Sequence, residues 1–206
     1  MKLSTLLPHL IAPKNVEITG ISSNSKDINP GYVFFAIRGI NVNGENFIDD
    51  AIAQGAKAIV SEKTSGIYKD CVMLHSDNVR RDLSLACAQF FAPLPQKIAG
   101  VTGTSGKTSS AKFVYDMYKI LGEPVGYTGT IGTYYNDKII DGLTTPEPFE
   151  LFPLLQDMKS KGIDKVVMEI SSQGLDQYRP DGLDIKVAAF TNLSRDHIDY
   201  HKTMEN

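Results

Sequence analysis

Hydrophobic and polar positions alternate between two periods along this chain. Val33-Phe34-Phe35-Ala36-Ile37 is a short apolar run after the turn pair Pro30-Gly31, the pattern of a buried strand. Phe47, Ile48, Ala51 and Ile52 then recur at helical spacing, and Gly55 is placed to stop that helix. Ala58-Ile59-Val60 and Val72-Met73-Leu74 predict two more strands. Asn78 is a candidate N-cap for a helix carrying Leu83, Ala86, Cys87 and Phe90 on one side. Ala92-Pro93-Leu94-Pro95 ends it and predicts a domain boundary, giving domains 1–94 and 95–206.

Beyond the boundary, Lys97-Ile98-Ala99-Gly100-Val101 predicts a strand leading into a glycine-rich turn. The helix after it has Phe113, Val114, Met117 and Leu121 on one face, with Gly122 just past its end. Thr145-Pro146 predicts the start of another helix, the proline at its first position, with Leu151, Phe152, Leu155 and Met158 as the buried stripe and Gly162 as the stop. Val166–Ile170 and Ile185–Phe190 read as buried strands of a parallel sheet. Strand and helix alternating in this way predict an α/β architecture in both domains.

The segment Gly103-Thr104-Ser105-Gly106-Lys107-Thr108-Ser109 lies between a predicted strand and a predicted helix. Glycines there let backbone N–H groups approach phosphate oxygens without a Cβ in the way, and the new helix adds its own unpaired N–H groups. Lys107 can neutralise β/γ-phosphate charge, and the Thr108 hydroxyl can reach a bound Mg²⁺. The strict pattern G-x-x-x-x-G-K-[ST] asks for glycine at position 101, where the chain has Val101. A plain strand-to-helix turn with an exposed lysine is the alternative.

Composition narrows the partners. The chain of 206 residues is 42% hydrophobic and 22% charged, with formal net charge −3, so no global field draws it to nucleic acid or an anionic membrane. No apolar stretch approaches the ~20 residues that span a bilayer. The start, Met1-Lys2-Leu3-Ser4-Thr5-Leu6-Leu7-Pro8, lacks the apolar run of a signal peptide. The cysteines Cys71 and Cys87 have no metal-type spacing, and Cys87 reads as a small buried hydrophobe. These features predict a cytoplasmic protein.

Five segments resemble the Mur ligases. The loop matches T-G-T-x-G-K-T, and Thr144-Thr145-Pro146-Glu147-Pro148 is similar to that family's TTP-P turn. Met168-Glu169-Ile170-Ser171-Ser172-Gln173-Gly174-Leu175 resembles its MEVSSHAL segment, and 190–201 nearly reproduces FTNLTRDHLDYH. Ser25-Lys26 followed by Pro30–Phe34 resembles its UDP-sugar-binding domain, so the likeness covers nearly the whole chain. It points to the MurE type, which uses ATP and Mg²⁺ to add the third residue of the peptidoglycan stem peptide, diaminopimelate or lysine, through an acyl phosphate.

The resemblance implies roles residue by residue. Residues 103–109 would bind ATP, with Lys107, Glu169 and His197 catalytic, and Thr108, Glu169 and His197 at the metal. Ser23 and Ser25 would contact the UDP sugar, while Thr144, Thr145, Ser171, Gln177 and Arg179 would hold the muramoyl peptide. Asn192 and Asp196 would line the same cleft. The chain departs from the family at Asn24, Lys26, Leu143 and Gln173, where aspartate, arginine, asparagine and histidine are usual. His197 and His201 lie four apart, but Ile198 breaks the zinc motif H-E-x-x-H.

The family's carbamylated lysine and C-terminal domain would lie after Asn206, so the chain is expected to be an N-terminal portion that does not turn over alone. A folylpolyglutamate-type synthetase and a non-catalytic nucleotide- or UDP-sugar-binding module remain as alternatives.

Overall fold

A computed structural model describes residues 1–39, 42–63, 65–136 and 138–205. The chain forms two compact units, Met1–Phe90 and Phe91–Asn206. The division falls four residues before the one the prolines predict, because the helix itself closes the first unit.

In the first unit, helix α1 (Leu3–Leu6) precedes strands β1 (Gly20–Ser22) and β2 (Tyr32–Phe35), helix α2 (Ile48–Ala53), and strands β3 (Ala58–Ser61), β4 (Gly66–Tyr68) and β5 (Cys71–His75), before helix α3 (Val79–Phe90). The sheet order is β1-β2-β3-β5-β4, parallel except for β4. Phe34 and Ile59 pack with Ala51 of α2 in one buried cluster, while α3 packs against β1 and β2. Both faces are covered, which is why β2 and β3 read as continuous apolar runs. Asn78 caps α3 as predicted, its Oδ1 accepting the Arg81 N–H at 3.0 Å. Cys71 and Cys87 are buried thiols, and burial pushes the Cys71 thiol up to about 11.

The second unit runs β6 (Lys97–Thr102), α4 (Lys107–Ile120), β7 (Val125–Gly129), β8 (Gly132–Tyr135), β9 (Lys138–Ile140), α5 (Pro148–Ser160), β10 (Lys165–Glu169), α6 (Ser172–Asp176), β11 (Ile185–Phe190) and α7 (Ile198–His201). The order is β11-β6-β10-β7-β8-β9, with the first four strands parallel and the β7–β8–β9 meander antiparallel. Strand period sorts β10 between two cores. Val166 and Met168 pack with Leu151, Leu155 and Met158 of α5, and Val167 packs with Ala111 and Tyr115 of α4. Glu169 is therefore on the α4 side.

Three expectations need correction. Helix α5 begins at Pro148, not at Thr145-Pro146, with Glu147 as N-cap and Pro148 at the first helical position. Pro146 is instead buried in the irregular stretch that precedes the helix. Helix α4 turns Ala111 and Tyr115 to the sheet; of the four residues expected on its buried face only Val114 packs against that core, and Phe113, Met117 and Leu121 are exposed. Strand β11 is parallel as predicted but is an edge strand, and every residue from Lys186 to Phe190 is exposed.

Candidate functional site

The site gathers at the C-terminal ends of β6, β10 and β11, where a parallel sheet presents its ligands. Register places Glu169 beside Val101 and Phe190 beside Thr102, so the exits of β10 and β11 flank the glycine loop that leaves β6.

Gly103 has φ +129°, and a Cβ there would collide with the Thr191 hydroxyl and come within 2.8 Å of the Asn192 carbonyl oxygen. Glycine is needed for both reasons. The segment 191–194 clasps the loop. The Thr104 N–H donates to the Asn192 carbonyl at 2.8 Å, and the Ser105 N–H donates to Asn192 Oδ1 at 3.1 Å. Asn192 Nδ2 returns a bond to the Ser105 carbonyl at 3.0 Å, and Thr191 Oγ1 donates to the same carbonyl at 2.7 Å. Asn192 was expected to line the cleft; it holds the loop.

Helix α4 starts at Lys107 behind Gly106 (φ +84°), and no side chain caps it. Its first-turn N–H groups thus have no side-chain cap, an arrangement suited to an anion. The Lys107 ammonium folds over the loop, donating to the carbonyls of Gly103 at 2.7 Å and Thr104 at 2.9 Å. Ser105 and Ser109 are exposed.

Glu169 is fully buried, and its carboxylate accepts four hydrogen bonds. Oε1 takes the Thr130 N–H at 3.1 Å and a hydrogen bond from the Tyr127 phenol. Oε2 takes the hydroxyls of Thr108 at 2.8 Å and Thr130 at 3.0 Å. Burial first, then the neighbouring carboxylate, hold the Tyr127 phenol well above the ordinary tyrosine range, so it stays a donor. All four donors are neutral, and among the described residues no ion pair reaches Glu169. A buried carboxylate with oxygen-bearing neighbours and no cationic partner fits a hard divalent cation such as Mg²⁺.

His197 adopts a left-handed conformation (φ 48°) and lines a cavity of about 350 Å³ with Thr104, Lys107 and Thr108. It is not among the hydrogen-bond partners of Glu169. No group of three or more His, Cys, Asp or Glu able to hold a metal occurs among the described residues. Thr108 and Glu169 thus come together, while His197 stands on the cavity wall.

The same cavity is lined by Thr144, Thr145, Ser171, Gln173 and Arg179. Thr145 is fully buried, accepting the Ser171 N–H at 2.9 Å and donating to the Glu169 carbonyl at 3.2 Å. Ser171 caps α6 by accepting the Gly174 N–H at 3.0 Å. The Arg179 guanidinium is fixed by the Thr145 carbonyl at 2.7 Å, by Glu147 at 2.6 Å and by Gln177 Oε1 at 2.9 Å. Gln177 does not line the cavity; its Nε2 donates to the Tyr200 hydroxyl at 3.0 Å. Asp196 and His197 also border an adjoining cavity of about 480 Å³ with Phe190, Leu193 and His201.

Ser23 and Ser25 belong to the first unit. Ser25 is buried and opens a single 3₁₀ turn capped by Asn24, whose Oδ1 accepts the Lys26 N–H at 3.1 Å. Asn24, one of the departures from the family pattern, thus caps the turn itself.

Tyr127, Gly129 and Thr130 were not singled out from the sequence. A Tyr in a strand looks like core, and only Gly129-Thr130 after it hinted at a close approach. A Cβ on Gly129 would collide with Glu169 Oε1 and the Tyr127 hydroxyl.

Strand, glycine loop, helix start without a side-chain cap and buried strand-end carboxylate define a glycine-loop α/β unit. The chain belongs to the Mur ligase family: the Mur ligase middle domain matches residues 101–206, and the Mur ligase family catalytic domain matches residues 17–89. It is 43% identical over 192 residues to the UDP-N-acetylmuramoyl-L-alanyl-D-glutamate–2,6-diaminopimelate ligase of Brucella melitensis, covering 92% of this chain and 39% of that protein. Against the Clostridium tetani enzyme of the same name it is 39% identical over 217 residues, covering 100% of this chain and 45% of the relative. A solved structure of a ligase with that name superposes with TM-score 0.83 at 28% identity, covering 100% of this chain and 42% of that one. The MurF ligase of Thermotoga maritima shares the fold at TM-score 0.56 and 24% identity, covering 90% of this chain and 40% of that one. The chain therefore spans about two fifths of the length of the relatives it matches. Among the described residues no helix is long and apolar enough to cross a membrane.

Proposed function

We propose that the chain supplies the ATP-binding and UDP-sugar-binding parts of a cytoplasmic ligase that joins 2,6-diaminopimelate to UDP-N-acetylmuramoyl-L-alanyl-D-glutamate. The observation that carries this reading is one cavity of about 350 Å³ lined by Lys107 and Thr108 together with Thr144, Thr145, Ser171 and Arg179. That geometry sets a substrate carboxylate beside a terminal phosphate. The names of the relatives favour diaminopimelate over lysine as the added amino acid.

Residues 103–109 cradle the phosphates of ATP with backbone N–H groups, and Lys107 exchanges its two carbonyl partners for phosphate oxygens. Arg179, held flat by three partners, orients the muramoyl peptide with Thr144 and Ser171, and Gln177 supports Arg179. Ser23 and Ser25 contact the uridine-diphosphate sugar. Thr108 and Glu169 would hold Mg²⁺, with His197 lining the same cavity; when bound, the ion would offset the repulsion between the carboxylate and the phosphate. Catalysis of this kind is mostly positioning and charge neutralisation.

Because the matched relatives are more than twice as long, binding is the measurement that tests the reading on this chain. Calorimetric titration is expected to show Mg·ATP binding that Lys107→Ala weakens about tenfold or more. It is also expected to show UDP-N-acetylmuramoyl-dipeptide binding that Ser25→Ala weakens. Failure to bind ATP would sink the ligase reading, and ATP binding without UDP-sugar binding would favour a folylpolyglutamate-type synthetase.

A further inference from the structure

The two oxygens of Glu169 are held in different ways. Oε1 is tied by the Tyr127 phenol and the Thr130 N–H, one on β7 and the other just beyond its end. Oε2 faces two hydroxyls, Thr108 and Thr130, which can rotate to offer a lone pair instead of a proton. The terminal torsion of a glutamate is soft, so an untethered carboxylate would not keep its two oxygens distinct.

We infer that Tyr127 is a positioning residue for the cation site, fixing Oε1 of Glu169 so that Oε2 stays turned toward Thr108. The inference rests on the reading of Glu169 and Thr108 as Mg²⁺ ligands given above. Tyr127 is fully buried, and its ring is wedged edge-on against Tyr115 at 5.9 Å and Tyr134 at 5.6 Å between centroids. A phenylalanine would fill that core equally well, so the hydroxyl is accounted for by its partner, not by packing. Gly129 completes the arrangement: any side chain there would occupy the space in which the phenol meets the carboxylate. Rigid ring, bare glycine and buried carboxylate converge on one hydrogen bond.

The test is titration of the full 206-residue chain with ATP, once with Mg²⁺ and once with EDTA. Mg²⁺ is expected to tighten ATP binding to the wild type. Tyr127→Phe is expected to leave the EDTA affinity alone and to cut the Mg²⁺-dependent gain about tenfold, as loss of an outer partner of a metal ligand does. Direct Mn²⁺ binding followed by its electron paramagnetic resonance signal should weaken in parallel. A Tyr127→Phe chain with the full wild-type gain overturns the inference; if Glu169→Gln still cuts the gain, the cation-site reading survives. A wild type that gains nothing from Mg²⁺ overturns both. A Tyr127→Phe chain that fails to fold by circular dichroism also overturns the inference, since the hydroxyl would then serve the fold.

Discussion

Strands β10 and β11 both lie parallel to β6, one on each side of it. Their sequences, Lys165-Val166-Val167-Met168-Glu169 and Ile185-Lys186-Val187-Ala188-Ala189-Phe190, each centre on an apolar run, and β11 is the more apolar of the two. Yet β10 is covered by α4 and α5, while β11 forms the exposed edge. Their exits differ too. β10 ends by placing a buried charge against Thr108 at the start of α4, and β11 ends in Thr191 and Asn192, whose polar groups hold the loop backbone. One neighbour brings electrostatics to the phosphate loop and the other brings shape. Apolar content did not decide which one is covered; position in the sheet did.

The largest expected effect breaks the shape side. Gly103→Ala forces a side chain into a left-handed backbone and against Thr191 and Asn192. Strain and overpacking together should cost about 3 kcal/mol, read as a lower melting temperature by circular dichroism and loss of ATP binding. A variant that melts and binds like the wild type would mean the clasp is not needed to form the loop.

Glu169→Gln breaks the electrostatic side with almost no change of volume. The gain in ATP affinity from Mg²⁺ should fall about tenfold, or ~1.4 kcal/mol, while affinity in EDTA changes little. Equal losses in both conditions would show that Glu169 shapes the loop as β11 does.

Much of this was legible in advance because it is local. The loop, the glutamate at a strand end, the Asn78 cap and the α5 stripe of Leu151, Phe152, Leu155 and Met158 each follow from nearby residues. What escaped depends on distant partners or on amphipathic side chains. Helix α4 was assigned the wrong face because Phe113 and Met117 are more apolar than Tyr115 and Tyr118, yet the tyrosines pack toward Tyr127 and Tyr134. The β7–β9 meander was missed because its Thr- and Gly-rich strands do not alternate clearly. Two prolines, Pro146 and Pro148, each qualify as a first helical residue, and only the Glu147 backbone decides between them. The Tyr127–Glu169 bond joins positions 42 apart, beyond any local pattern.

Asn192→Ala sharpens the contrast further. It removes two exposed hydrogen bonds to Ser105 but leaves the backbone bond to Thr104. The cost should be about 1 kcal/mol in stability, with ATP affinity lowered severalfold with or without Mg²⁺. Insensitivity to Mg²⁺ is what distinguishes it from Glu169→Gln; a loss confined to the Mg²⁺ titration would erase the division between the two strands.

The smallest expected effect lies on β11 itself. Val187 is 63% exposed, so Val187→Thr exchanges a methyl for a hydroxyl at a site already open to water, with β-branching and strand preference kept. The melting temperature should shift by no more than ~0.5 kcal/mol would produce. A loss of 1 kcal/mol or more would show that Val187 is covered in solution, by a second copy or another segment. Analytical ultracentrifugation beside the melt separates those two covers, because only self-association depends on chain concentration. An edge strand with five consecutive exposed residues and paired on one side only is the place where such association would begin.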